Sequence, residues 1–133
     1  MPRYVILWHQ MPADSGRPTH WDLMLEDGEI LRTWALPALP QHGCVAQVQM
    51  LPDHRPAYLT YEGPVSRNRG SVHRWDQGGF QWVQRNDHSL HIRLLGQRLD
   101  GEIRLTREQR SAESWRMEYL ACDTAKQQQG DRS

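Results

Sequence analysis

The segment SLHIRLLGQRLDGEIRLT, residues 89–106, decides the fold class of this chain, because apolar and polar residues alternate in both of its halves. The apolar positions are Leu90, Ile92 and Leu94, then Ile103 and Leu105. A period of two is typical of strands that bury one face. An Asp-Gly pair at 100–101 separates the halves and favours a tight hairpin turn. The segment therefore predicts two antiparallel strands.

The same alternation, interrupted by turn residues, continues along most of the chain. The predicted strands are 3–9, 20–26, 29–36, 44–51, 57–61, 71–75, 79–84, 89–95, 101–106 and 115–120. Asp-Gly at 27–28 and Gly-Gly at 78–79 predict hairpin turns, and residues 106–113 predict a short helix or a long polar turn. Many short strands at this spacing favour a closed barrel or a strongly curved sandwich. We expect an all-β, mainly antiparallel fold, arranged as a compact single-domain β-barrel.

Composition limits the domain organisation and the class of partner. The chain has 133 residues, a length typical of one domain. We expect this domain to span residues 1–121 and residues 122–133 to form a disordered tail, because the sequence from Asp123 onward has no apolar stretch to bury. The formal net charge is zero, so composition does not indicate a polyanionic partner. Fifteen of the sixteen basic residues are Arg, which suits a local phosphate site but also fits a genome rich in Arg codons.

The spacing of the cysteines and the hydropathy of the chain predict its cellular compartment. Cys44 and Cys122 lie far apart in the sequence, so neither a zinc knuckle nor a disulfide scaffold is indicated. No stretch approaches the ~18 consecutive apolar residues of a membrane span. We expect a monomeric, cytoplasmic protein without a membrane segment.

Three residues near the start of the chain have the spacing of metal ligands. His20 and Asp22 lie two positions apart in a predicted strand, so they share a face, with Cα atoms roughly 6.5–7 Å apart. An imidazole and a carboxylate can close this span around one ion, and His9 ends the preceding predicted strand. Two imidazoles and a carboxylate suit a divalent transition metal such as Mn, Fe or Zn and leave positions open for water or substrate.

Several motifs follow these residues in a definite order. After His9 come HWDLMLE at 20–26, TWALPALP at 33–40, PDHRPAYLTYEG at 52–63, RWDQG at 74–78, LLGQRLDGEIRL at 94–105 and WRMEYL at 115–120. In this order the motifs resemble the 3′-phosphoesterase domain of bacterial DNA ligase D, which also occurs as a free-standing protein. The resemblance covers about residues 3–120.

The resemblance implies a fold, an activity and a set of site residues. The family fold is a compact β-barrel, and its members use Mn²⁺ to remove a 3′-terminal ribonucleoside and a 3′-phosphate from DNA or RNA–DNA ends. Zn²⁺ or Co²⁺ could replace Mn²⁺. His9, His20 and Asp22 match the metal ligands of the family, and His54 and Tyr58 match residues that contact the phosphate. A ligase or polymerase of non-homologous end joining is the partner that the resemblance implies.

The chain departs from the family pattern at one position beside the ligands. Met24 stands where the family has an arginine that binds phosphate, and a thioether cannot replace that contact. Arg67 and Arg69, in the loop before RWDQG, could supply the missing charge from another direction. Glu26 and Glu62 could accept a hydrogen bond from a ligand imidazole and so fix its tautomer.

Three functions are therefore open on the sequence alone. The first is a metal-dependent 3′-phosphoesterase acting in DNA repair. The second is a catalytically weak relative that binds nucleic-acid ends or a repair partner, which Met24 and the absence of the charged segment upstream of the first strand favour. The third takes the histidines and Asp22 as the facial triad of an Fe(II) oxygenase, although the chain is short for that fold.

Overall fold

A computed structural model of the protein describes residues 1–109 and 111–122. The predicted disordered tail, apart from Cys122, lies outside the described residues. In the described part of the chain, no helix is long and apolar enough to cross a membrane.

The described residues contain nine strands, and eight of them form a closed antiparallel barrel. The strands are β1 (Arg3–Gln10), β2 (His20–Asp27), β3 (Ile30–Leu36), β4 (Val45–His54), β5 (Gly63–Pro64), β6 (Ser71–Arg85), β7 (Ser89–Gly96), β8 (Asp100–Arg107) and β9 (Ser114–Ala121). Around the barrel they are ordered β1-β2-β3-β4-β9-β8-β7-β6, and β6 pairs back with β1 to close it. The short β5 pairs only with the start of β6. The predicted all-β barrel is confirmed.

The interior of the barrel is filled from all eight strands. Its largest buried side chains include Trp34, Trp115, Phe80 and Tyr4. The indoles of Trp34 and Trp115 meet edge to face, with ring centroids 5.6 Å apart. The alternating residues of segment 89–106 point inward here, as a period of two requires.

A second apolar cluster covers the outer face of the first strands. This outer cluster contains Val5, Leu7, Met24, Leu31, Leu59 and Val72, with Tyr58 and Val65 packed against it. Leu59 comes from a 3₁₀ helix, Pro56–Leu59, which replaces the strand predicted at 57–61. That prediction was wrong because Pro56 occupies the first helical position, where its fixed φ favours a helical turn and its missing N–H costs nothing.

Two other local predictions are settled by the strand pairing. The Gly-Gly pair at 78–79 does not make a hairpin, because β6 runs unbroken from 71 to 85. Its first half pairs with β1 and its second half with β7. A Cβ on Gly78 would lie 2.2 Å from the carbonyl oxygen of Leu95, so glycine is needed for this close approach.

Of the two alternatives for residues 106–113, the described part contains turns and no helix.

A buried carboxyl group ties the β7–β8 turn to the barrel wall. Asp76 is 2 % exposed. It accepts hydrogen bonds from the Tyr4 hydroxyl at 2.5 Å and from the main-chain N–H groups of Arg98 and Leu99 at 2.8 and 3.1 Å. Burial, together with the hydrogen bond to Asp76, raises the pKa of Tyr4. A Cβ on Gly96 would lie 1.8 Å from the Tyr4 oxygen, so this contact also requires a glycine.

We expect Asp76→Ala to lower the free energy of unfolding by about 3 kcal/mol or more, because two buried donors and one part-buried donor lose their acceptor. Urea denaturation measures this change. Asp87→Ala, in the exposed β6–β7 turn, is the matched control and should stay within about 0.5 kcal/mol of the parent protein. Equal stability of the two variants would show that the Asp76 network does not hold the turn.

Candidate metal centre

His9, His20 and Asp22 come together on the outer face of the β1–β2 hairpin. His9 is the register partner of His20, and Asp22 is the register partner of Leu7. Leu7 and Met24 belong to the outer cluster, so strand alternation places all three candidate ligands on the same outer face. Their ligand atoms lie within 4.8 Å of one another. The three residues therefore could hold one metal ion.

Main-chain carbonyls fix the tautomers of the two imidazoles. His9 Nε2 lies 2.7 Å from the carbonyl oxygen of Arg69, and His20 Nδ1 lies 3.1 Å from that of Pro18. A carbonyl can only accept, so these ring nitrogens carry the hydrogen. In each neutral ring the other nitrogen, which faces Asp22, then bears a lone pair. This is the arrangement in which proteins usually hold metal-binding histidines.

Hydrogen-bond acceptor atoms of the three side chains face one another, with no donor hydrogen between them. His9 Nδ1 lies 3.0 Å from Asp22 Oδ2, and His20 Nε2 lies 2.9 Å from Asp22 Oδ1. The second contact has no hydrogen-bond geometry, so both of its buried atoms lack a hydrogen-bond partner within the described part of the chain. Because Asp22 is only 1 % exposed, water cannot solvate its charge freely. A divalent cation among these acceptors would satisfy them all, so the residues fit a metal ion.

Protons are the other positive charges that this cluster attracts. Burial favours the protonated form of Asp22, but its contacts with His20 and His9 outweigh this and lower the pKa of the carboxyl group. Burial and the nearby charge of Arg17 both lower the pKa of His20, yet the contact with Asp22 outweighs them and raises it. Bound metal and bound protons therefore compete for the same atoms.

The cluster lies in the wall of an open cleft of about 1180 Å³ that also contains His54 and Tyr58. His54 ends β4, and Tyr58 lies in the 3₁₀ helix that follows it. Their rings pack edge to face, with centroids 5.4 Å apart. His54 Nδ1 is buried and has no hydrogen-bond partner among the described residues. The structure thus brings all five predicted metal and phosphate-contact residues to one cleft.

The two arginines proposed to replace the family arginine are placed differently. Arg69 lines the cleft, but its guanidinium donates to the Ser66 carbonyl at 2.9 Å and to the Ser66 hydroxyl at 3.2 Å. Its carbonyl, rather than its charge, contacts His9. Arg67 is exposed and does not line the cleft. Met24 itself is 1 % exposed within the outer cluster and presents no polar group to the cleft.

The two candidate glutamates have partners other than the ligand imidazoles. Glu26 accepts hydrogen bonds from the main chain and guanidinium of Arg3, and Glu62 accepts one from the Arg74 main chain. The groups that hold the imidazoles are instead the carbonyls of Pro18 and Arg69. Any residue type has a carbonyl, so no sequence motif could have indicated them.

We expect a pH-dependent effect of His20→Ala in the metal-free protein. The pKa of His20 is raised above its ordinary 6.5, so its contribution to stability is complete below that pH and is lost as pH rises through the folded-state pKa. The pKa of Asp22 is lowered from 3.8, so its contribution is complete above that pH and is lost as pH falls through the folded-state pKa. The substitution should therefore cost more stability at about pH 5.5 than at about pH 9. Urea denaturation in EDTA measures both, and equal losses would contradict the expectation.

Comparison with known proteins identifies the family of the chain. The sequence model of the DNA ligase D 3′-phosphoesterase domain matches residues 9–107, which include His9, His20, Asp22, His54 and Tyr58. No curated protein matches the chain significantly. Since the match covers well over half of the 133 residues, the chain belongs to the DNA ligase D 3′-phosphoesterase domain family.

Proposed function

We propose that this protein is a metal-dependent 3′-phosphoesterase that repairs DNA 3′ ends by removing 3′-ribonucleosides and 3′-phosphates. Its family indicates a 3′-phosphoesterase-like function in DNA repair. The observation that carries the finer proposal is the set of facing acceptor atoms on His9, His20 and Asp22, which lies in the same cleft as His54 and Tyr58.

The donor set favours a divalent transition-metal ion. Two imidazole nitrogens and a carboxylate suit Mn²⁺, Zn²⁺ or Co²⁺, and we propose Mn²⁺ as the working metal. When bound, it would supply Lewis-acid stabilisation of the phosphoryl group and acidify a water molecule. His9, His20 and Asp22 would hold it, with the carbonyls of Pro18 and Arg69 preventing rotation of the two rings.

His54 and Tyr58 are the groups available for proton transfer and orientation. His54 lines the cleft that holds the candidate metal ligands, so its ring would donate to a phosphoryl oxygen or to the leaving group bound there. Tyr58 packs against His54 on one side and against Tyr61 on the other, with ring centroids 5.4 and 5.9 Å apart. In this role Tyr58 limits the orientations that the imidazole can adopt.

A second function rests on Met24. Its side chain is buried at the position where the family has a phosphate-binding arginine. This favours a catalytically weak relative that binds DNA ends without efficient turnover. The two functions share the metal and the ligand but differ in product formation, so an assay on a defined 3′ end separates them.

Removing a ligand should abolish metal binding without unfolding the barrel. We expect His20→Ala to weaken Mn²⁺ binding by more than about 100-fold, since even the loss of an outer hydrogen-bond partner typically costs 10–100-fold. Titration calorimetry at pH 7.5 measures the affinity. His88→Ala, in the exposed β6–β7 turn, is the matched control and should bind Mn²⁺ as the parent does. Unchanged affinity in His20→Ala would exclude this site.

His54 should affect turnover but not metal binding. On primers ending in a 3′-phosphate or a 3′-ribonucleotide, we expect Mn²⁺-dependent product that EDTA abolishes. His54→Ala should lower kcat by about 10²–10⁴-fold, the usual contribution of a general acid, with Mn²⁺ affinity unchanged. Absence of product from the parent protein at high concentration with Mn²⁺ would exclude the enzyme and favour the weak relative.

A further inference from the structure

We propose that Arg17 binds the terminal phosphate of the DNA 3′ end and takes the place of the arginine that Met24 replaces. The inference rests on the proposed 3′-end function of the cleft. Arg17 lies in the β1–β2 loop, residues 11–19, between the strands that carry His9 and His20. Arg17 is exposed and lines the cleft.

The β1–β2 loop is held in a defined shape that presents Arg17. Its two ends are joined by a hydrogen bond from the Met11 main-chain N–H to the Thr19 hydroxyl, at 3.1 Å. Ser15 closes the tip, because its N–H donates to the Pro12 carbonyl and its hydroxyl accepts from the Arg17 N–H, both at 3.1 Å. These hydrogen bonds hold the main chain of Arg17 in the loop that joins the two ligand-bearing strands.

Arg17 lies next to the candidate ligands. It precedes Pro18, whose carbonyl contacts His20, and it lines the same cleft as His20 and Asp22. Its guanidinium forms no ion pair with any residue that the structure describes. A phosphate bound beside the metal ligands would therefore meet a free guanidinium fork, which suits its oxygens bidentately.

The other basic residues near the cleft are less suitable. Arg69 is engaged with Ser66, and Arg67 lies outside the cleft lining. Arg55 also lines the cleft, but it lies at the start of the 3₁₀ helix next to His54, whereas Arg17 adjoins Pro18, which contacts the candidate ligand His20. Among these arginines, Arg17 combines a place in the cleft lining, a neighbour that contacts a candidate ligand, and a guanidinium without an ion pair to the described residues.

Binding in EDTA tests Arg17 without turnover. Fluorescence anisotropy would compare a recessed primer ending in a 3′-phosphate with the same primer ending in a 3′-hydroxyl. The parent protein should prefer the 3′-phosphate, and Arg17→Ala should reduce its affinity for that end by about 10- to 100-fold while leaving the 3′-hydroxyl end unchanged, as expected for losing a charge-assisted contact. Arg17→Lys should keep part of the preference because it keeps the charge. Arg104→Ala, exposed on β8 and outside the cleft lining, is the control and should behave like the parent.

Three outcomes would overturn the inference. These are a parent protein without preference for the 3′-phosphate, an Arg17→Ala variant that keeps the preference, and loss of the preference in Arg55→Ala but not in Arg17→Ala. Steady-state kinetics with Mn²⁺ separate this result from the proposed function. An active protein unaffected by Arg17→Ala would retain the function and lose the inference, whereas an inactive protein with an Arg17-dependent preference would retain the inference and lose the turnover.

Discussion

Antiparallel pairing of β1 with two different strands is the constraint on which the rest of the structure depends. Its pairing with β6 closes the barrel, so every strand from β1 to β9 except β5 contributes to one interior. Its pairing with β2 sets His9 opposite His20. Because side chains alternate across a strand, a shift of one residue in this register would turn the candidate ligands away from their shared face. The barrel and the site therefore depend on the same strand, β1.

At the centre of the site, a buried carboxylate and two imidazole lone pairs lie close together. Asp22 is nearly inaccessible to solvent, and the carbonyls of Pro18 and Arg69 direct both imidazole lone pairs toward it. Such an arrangement is costly unless a cation fills it. Burial of apolar residues in the outer cluster and in the barrel interior, on both sides of the hairpin, offsets this electrostatic cost. A strained electrostatic arrangement on a rigid sheet is typical of a functional centre.

Sequence patterns predicted regular features better than exceptions. Alternation located most of the barrel strands, because each of those strands buries one face. It failed at residues 57–61, where Pro56 begins a 3₁₀ helix, and at the Gly-Gly pair, where glycine serves close strand approach instead of a turn. The motif RWDQG likewise predicted no structural role for Asp76, because a buried carboxyl group that binds a distant turn leaves no periodic signal.

The sequence by itself determined the strand period, the shared face of His20 and Asp22, and the order of motifs that identifies the family. These properties depend on residue type and spacing along the chain, so they can be derived without coordinates. Only the tertiary structure decided that His9 reaches Asp22, that Met24 is buried, and that carbonyls from two loops fix the imidazole tautomers. These contacts join residues far apart in the chain, or use main-chain atoms that every residue has, so their presence depends on how the barrel closes.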